Sequence, residues 1–250
     1  SEPNAGAAVR IAMWSGPRNI STALMRSWEA RADTFVCDEP LYAHYLAMTR
    51  LPHPGAEEII AHHEVDWRRV VAWLTSPPPS GESIFYQKHM AHHLLPEIDR
   101  AWTRRLTNCL LIRDPEEMLT SLVKVTPEPR VEDTGLPQQL ELQRELVTAG
   151  APPVVLDARD VLVNPRGMLE ALCARIDVPF DEAMLSWAPG PRDTDGVWAK
   201  HWYGAVERST GFAPYRPKNE RVPPALESVL AECQALYDAL AAHRLTIGQS

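Results

Sequence analysis

Two short stretches place anion-binding chemistry at the ends of apolar runs. The first is Ser15-Gly16-Pro17-Arg18-Asn19-Ile20-Ser21-Thr22, entered from an apolar run that ends at Trp14 and followed by Ala23, Leu24 and Trp28 at helical spacing. A turn that opens a helix presents N–H groups without intrahelical partners and the positive end of the helix dipole, so it attracts phosphate or sulfate. Arg18 adds a permanent planar cation, and Ser21 and Thr22 add hydroxyl donors. A magnesium-nucleotide loop of the form GxxxxGK[ST] needs Gly-Lys where this chain has Ser21-Thr22, which counts against that chemistry. The plainer alternative is that Ser and Asn merely cap a helix.

The second stretch is Arg113-Asp114-Pro115 after the apolar run Asn108–Ile112, with Ser121 eight residues beyond the arginine. Asp114 suits a helix N-cap and Pro115 the first helical position. Arg113 then stands at the carboxyl end of a strand, the edge where open α/β sheets bind ligands. Ser121 lies two turns into the helix on the face of Glu117, so Arg113 and Ser121 can bracket a second phosphate. Taken alone, Arg-Asp-Pro is also an ordinary strand-to-helix corner. His89, His92 and His93 have the spacing of one helical face and raise zinc as a further reading, but no HExxH accompanies them and His89 precedes the helix, so no metal site is expected.

These residues need strands to carry them. Apolar runs Val9–Trp14, Thr34–Asp38, Ser83–Lys88, Asn108–Ile112 and Pro153–Asp157 read as strands. Between them, Asn19–Arg31, Leu41–Arg50, Trp67–Leu74, His92–Arg105, Pro115–Val125 and Leu136–Thr148 read as helices. Helical runs near Pro165–Ile176, Asp181–Ser186 and Pro223–Ala242 follow. Strands alternating with helices build a parallel sheet with crossover helices, so the expected class is α/β, three layers, with a helical C-terminal portion. Prolines, 23 in all, gather in the connections. The stretch 189–221, rich in Pro, Trp, Gly, Lys and Arg, is too long for an idle loop and is expected to form a lid over the site, with Trp198 and Trp202 stacking on a base or walling a pocket. Core or loop packing is the plainer role for either ring.

The chain has 250 residues and a formal charge of −8, which suits one soluble domain over 9–250 and argues against nucleic-acid or membrane-surface partners. Residues 1–8 are read as a disordered or tag-derived start. Cys37, Cys109, Cys173 and Cys233 are widely spaced and expected as buried free thiols. With no apolar run of membrane-spanning length and no signal-peptide pattern, a cytoplasmic location is expected.

The order strand, Pro17-Arg18-Asn19-Ile20-Ser21-Thr22, helix, then a later strand with Arg113-Asp114-Pro115 and Ser121, resembles the sulfotransferases that use 3′-phosphoadenosine 5′-phosphosulfate (PAPS). Asp38-Glu39-Pro40 resembles the Glu-Pro of carbohydrate-type and bacterial members, and the run Asp157–Pro165 with Ile176-Asp177-Val178-Pro179-Phe180 is similar to a further family stretch. The resemblance implies a P-loop NTPase-like fold, PAPS as co-substrate, 3′,5′-adenosine bisphosphate (PAP) as product and no required metal. It implies that Gly16, Pro17, Arg18, Asn19, Ile20, Ser21 and Thr22 hold the 5′-phosphosulfate and that Arg113 and Ser121 hold the 3′-phosphate. Ile20 stands where the family loop usually has Gly. The C-terminal 3′-phosphate loop is not cleanly matched; Lys200, His201 and Arg208 lie in a suitable segment.

Sulfuryl transfer needs an in-line hydroxyl, charge stabilisation at the transferring group and a base. Arg18 is the expected cation and Lys88 a further contact. Glu39 and His89 compete as base, and the Asp-Glu-Pro context favours Glu39. The acceptor is expected to be a small hydroxylated or amine compound, in a pocket built from 41–54 and 127–137. A nucleotide-dependent kinase and a catalytically silent nucleotide-binding module remain as rival functions. Nothing in the sequence reads out an oligomeric state.

Overall fold

The alternation of apolar residues in five short runs buries them on both faces of one sheet. In the computed structural model, which describes residues 7–248, β1 (Val9–Ser15), β2 (Thr34–Asp38), β3 (Ile84–Met90), β4 (Thr107–Ile112) and β5 (Val154–Asp157) are all parallel. Their order is β2-β3-β1-β4-β5. The helices are α1 (Ser21–Glu29), α2 (Tyr42–Thr49), α3 (Ala56–His62), α4 (Trp67–Leu74), α5 (Pro115–Leu122), α6 (Leu136–Thr148), α7 (Ala158–Val163), α8 (Pro165–Arg175), α9 (Ala199–Trp202), α10 (Gly204–Glu207) and α11 (Glu227–Ala241).

Side-chain alternation along the strands makes two cores. Ile11, Met13, Val36, Ile84, Tyr86, Cys109 and Leu111 pack with α1, α2 and α8 on one face. Ala12, Trp14, Phe85, Leu110 and Ile112 pack with α4, α5, α6 and α11 on the other. The three-layer α/β/α class read from the sequence is the observed one. In parallel register, Met13 stands beside Lys88 and Trp14 beside His89, so Lys88 and His89 leave β3 on opposite faces.

The connection leaving β1 runs towards β2 at one edge, whereas that leaving β4 runs towards β5 at the other. The connections therefore diverge between the carboxyl ends of β1 and β4, the place where such sheets open a ligand crevice. Gln139 of α6 bridges the crevice floor, its amide donating to the carbonyls of Trp14 and Leu111 at 2.9 Å each.

The expected helix His92–Arg105 is absent. β3 continues to Met90, and only 3₁₀ turns at Ala91–His93 and Ala101–Arg105 follow. Pro96 lies inside the stretch, lacks an N–H and disfavours helical geometry at Leu95, so the histidine face required by the zinc reading does not form. Asp181–Ser186 is likewise a 3₁₀ turn, and Pro223–Ala242 resolves into a 3₁₀ turn followed by α11. α3 was not legible because Ile59 is its one buried residue. All four cysteines are buried free thiols. Most of the stretch 1–8 lies outside the described residues, and among the described residues no helix is long and apolar enough to cross a membrane.

Candidate functional site

The loop after β1 turns back on itself through Arg18, whose φ of 56° is left-handed. Gly16 is required for this path: a Cβ there would stand 2.3 Å from the Thr134 carbonyl oxygen. Ile20 has φ −85°, an ordinary value for a branched residue, and its side chain packs against the α1-side core. The departure from glycine therefore puts no bulk into the loop; the backbone strain falls on Arg18. Asn19 Oδ1 accepts from the Ile20 N–H at 2.8 Å. No side chain caps α1, which leaves the amides of its first turn and the hydroxyls of Ser21 and Thr22 for an anion.

At the tip of β4, Asp114 accepts from the Glu117 N–H at 3.0 Å, and with Pro115 at N1 it starts α5 where the sequence placed it. Ser121 comes round to face the first loop, and its hydroxyl accepts from Arg18 Nε at 2.8 Å. Arg113 Nη1 donates to the Arg18 carbonyl, and its Nε lies 3.6 Å from Glu117 Oε2. The two motifs, expected to hold opposite ends of a ligand, thus share one hydrogen-bonded group across the crevice. This corrects the role expected of Arg18: its guanidinium is directed at α5, not at the first turn of α1.

The C-terminal basic residue also differs from expectation. Lys200 pairs with Glu58 on α3 at 2.6 Å and Arg208 terminates α10; neither enters the Arg113 group. Lys218 does, donating to the Thr120 hydroxyl at 3.0 Å, while Tyr215 donates to Glu117 at 2.7 Å. Burial and the nearby Arg113 hold the Lys218 ammonium below its usual value, against the pull of Glu220. The signal for Lys218 was the same proline-rich stretch; what placed it was the docking of that stretch on α5, which spacing does not specify.

A second group forms at the tips of β2 and β3. Glu39 has φ 42°, and its N–H donates to the Lys88 carbonyl at 2.9 Å. Lys88 Nζ donates to Glu39 Oε2 at 2.8 Å and to the Tyr203 phenol oxygen at 2.5 Å, and lies 3.2 Å from Asp38 Oδ1. Burial works against the ammonium, but the Asp38 and Glu39 carboxylates outweigh it and keep Lys88 charged. Burial pushes the Asp38 carboxyl up despite Lys88. With its three N–H groups engaged and its side chain 2% exposed, Lys88 has no donor left for a transferring group, contrary to expectation.

His89 is placed as a core residue, which corrects its candidacy as base. It points to the opposite face, stacks on Trp14 with ring centroids 4.2 Å apart, and bonds Gln87 through Nε2 at 3.1 Å. Burial lowers its pKa to about 3.

The stretch 189–221 lies over the Glu39 group as a strap. Asp195 forms a bidentate pair with Arg26 of α1 at 2.5 and 2.7 Å, and the Gly196 N–H donates to Asp38 at 3.0 Å. Trp198 is buried, donates to the Tyr203 hydroxyl at 3.1 Å and meets Tyr42 edge-on, so it serves packing and not base stacking. Beside it, Tyr42 and Tyr45 flank the His93 ring at 4.6 and 4.7 Å, and the Tyr42 hydroxyl bonds His53 at 2.7 Å. Tyr42, Tyr45 and His53 come from the 41–54 stretch expected to face an acceptor, whereas His93 follows β3, and the 127–137 stretch reaches the first loop through Thr134 and Gly135.

Residues 9–244 match the sulfotransferase domain family, and the chain belongs to it. Two proteins of Arabidopsis thaliana, the branched-chain-amino-acid aminotransferase-like proteins 1 and 2, are 35% and 33% identical to it over 233 residues, 93% of this chain. The match takes up 42% and 41% of their own lengths, so the chain spans less than half of either. Among solved structures, the sulfotransferase domain of the Synechococcus PCC 7002 olefin synthase aligns with a TM-score of 0.55 at 16% identity, covering 98% of this chain and 99% of that one. The sulfotransferase domain of the curacin biosynthetic pathway aligns at 0.51 and 14%, covering 94% and 98%. At those identities the likeness is one of fold.

Proposed function

We propose that the chain transfers a sulfuryl group from PAPS to a hydroxyl or amine of a small acceptor. The observation that carries this is the Arg18–Ser121–Arg113 group in the crevice between β1 and β4, beside the uncapped first turn of α1. A ligand with anionic groups at two ends suits two such poles. The first-turn amides of α1 with Ser21 and Thr22 hold the phosphosulfate, and Arg18, Arg113, Ser121 and Lys218 hold the 3′-phosphate.

In the transfer, the acceptor oxygen forms a bond to sulfur as the bond from sulfur to the bridging phosphate oxygen breaks. The N–H groups and hydroxyls at α1 meet the charge that grows on the departing phosphate. Glu39 takes the acceptor proton: both of its side-chain hydrogen bonds end on Oε2, which leaves Oε1 for the incoming hydroxyl. Tyr42, Tyr45, His53 and His93 wall the acceptor side.

Calorimetric titration with PAP, on the wild type, Arg113→Ala and Lys218→Ala, tests the donor half. Micromolar binding that Arg113→Ala weakens by more than about 10-fold, about 1.4 kcal/mol, is expected, with a smaller loss for Lys218→Ala. Absence of PAP binding, or tighter binding of ATP with magnesium, would sink the proposal. Release of PAP from PAPS across a panel of phenols, alcohols and amines then tests transfer.

A further inference from the structure

Tyr203 stands at the centre of the Glu39 group although it lies 164 positions away in sequence. Its phenol oxygen accepts from Lys88 Nζ and from Trp198 Nε1. Its single proton has three oxygens in reach: Asp38 Oδ1 at 2.8 Å, Asp38 Oδ2 at 2.9 Å and Glu39 Oε2 at 3.0 Å. Only one end of this assembly opens to solvent. The Glu39 side chain is 11% exposed, against 2% for Lys88 and 1% for Asp38. Glu39 is also held in left-handed backbone geometry, which an unsupported glutamate does not favour.

We propose that Tyr203 is a positioning residue for Glu39, fixing Oε2 to the Asp38–Lys88 pair so that the remaining carboxylate oxygen is presented to the acceptor. This rests on Glu39 being the base. The phenol is placed for two states of the group. With Glu39 ionised, its proton is shared among the carboxylate oxygens. When Glu39 has taken a proton, the phenol proton turns wholly to Asp38, and Lys88 remains balanced by that carboxylate. Because Tyr203 and Trp198 arrive on the strap, the base is assembled only when the strap is docked.

The groups facing this assembly come from every side. Asp38 is on β2, Lys88 on β3, Tyr203 and Trp198 on the strap and Tyr42 on α2; Arg26 and His63 act on Asp38 from α1 and the end of α3. Of these, Tyr203 is the one whose hydroxyl hydrogen-bonds both carboxylates. A donor to an ionised carboxylate favours the ionised form, so removing the phenol shifts the Asp38 carboxyl to titrate at higher pH.

The test is ¹³C NMR titration of protein labelled at the Asp and Glu carboxyl carbons, assigned with Asp38→Asn and Glu39→Gln. In Tyr203→Phe the Asp38 carboxyl is expected to titrate higher, with PAP affinity unchanged and transfer slowed at least about tenfold. An unmoved titration overturns the proposal, and so does loss of PAP affinity together with turnover, which marks Tyr203 as a packing residue. Replacing the tyrosines by 3-fluorotyrosine keeps the ring and strengthens the donor. The Asp38 carboxyl is then expected to titrate lower, and no change overturns the proposal even if Tyr203→Phe does not fold. The underlying reading is tested apart from this: a Glu39→Gln protein that transfers at the wild-type rate removes Glu39 as base, whatever the titration shows.

Discussion

Replacing Asp195 by alanine strips a buried guanidinium of its bidentate carboxylate partner. Arg26 is 1% exposed and Asp195 4%, and the two share hydrogen bonds of 2.5 and 2.7 Å. Among the described residues Arg26 Nε already lacks a partner, so in Asp195→Ala the buried guanidinium keeps no hydrogen-bonded carboxylate, and Glu29 and Asp38 act on it only across space. Breaking a buried pair from one side costs about 3–5 kcal/mol, a large fraction of a stability of roughly 5–15 kcal/mol. Asp195 Oδ2 also accepts from the Arg192 N–H at 2.9 Å, so the strap turn loosens as well. Urea denaturation followed by tryptophan fluorescence measures the loss. With an m-value of about 3 kcal/mol/M, the midpoint falls by on the order of 1 M. The paired change Arg26→Met with Asp195→Leu is expected to recover most of that fall, because it removes the uncompensated charge. A loss below about 1 kcal/mol in Asp195→Ala, or no recovery in the double variant, would refute the argument.

Two further outcomes follow from the geometry. Gly16→Ala forces a methyl to within 2.3 Å of the Thr134 carbonyl oxygen, so the loop or the 127–137 stretch must shift. A stability loss of about 1–3 kcal/mol and weaker PAP binding are expected by denaturation and calorimetry. His89 is held near pKa 3 by burial, whereas an unfolded histidine titrates near 6.5. Between those values the unfolded chain binds the extra proton, so this residue's contribution to stability falls as the pH is lowered, by about 1.4 kcal/mol per unit. Stability curves between pH 6.5 and 4 should be flatter for His89→Gln by that amount, and equal slopes would contradict the burial assigned to His89.

Local chemistry was legible in the linear chain where neighbouring residues suffice. Strand Thr34–Asp38 and helices Trp67–Leu74 and Leu136–Thr148 have the bounds their periodicity sets. The Asp114 cap with Pro115 at N1 is likewise a local arrangement, decided by residues within one helical turn. In the stretch 92–105, Pro96 overrides the helical spacing of the sequence, because its missing N–H and ring clash act on the backbone directly.

Residue types and spacing by themselves determined that this chain carries a Gly-Pro-Arg-Asn turn after its first strand, an arginine at a later strand tip, and a parallel α/β sheet to hold both. Whether those residues meet is set by strand order and by which face of a strand a side chain leaves. The order β2-β3-β1-β4-β5 puts Arg18 and Arg113 on one crevice, and the two-residue period of β3 sends Lys88 to Glu39 and His89 into the opposite core. Lys218, Tyr203 and Asp195 entered the site only through the docking of a proline-rich stretch against α5, the β2–β3 tips and α1. Such contacts span some 100 to 170 positions, and they depend on packing and buried charge that periodicity does not encode.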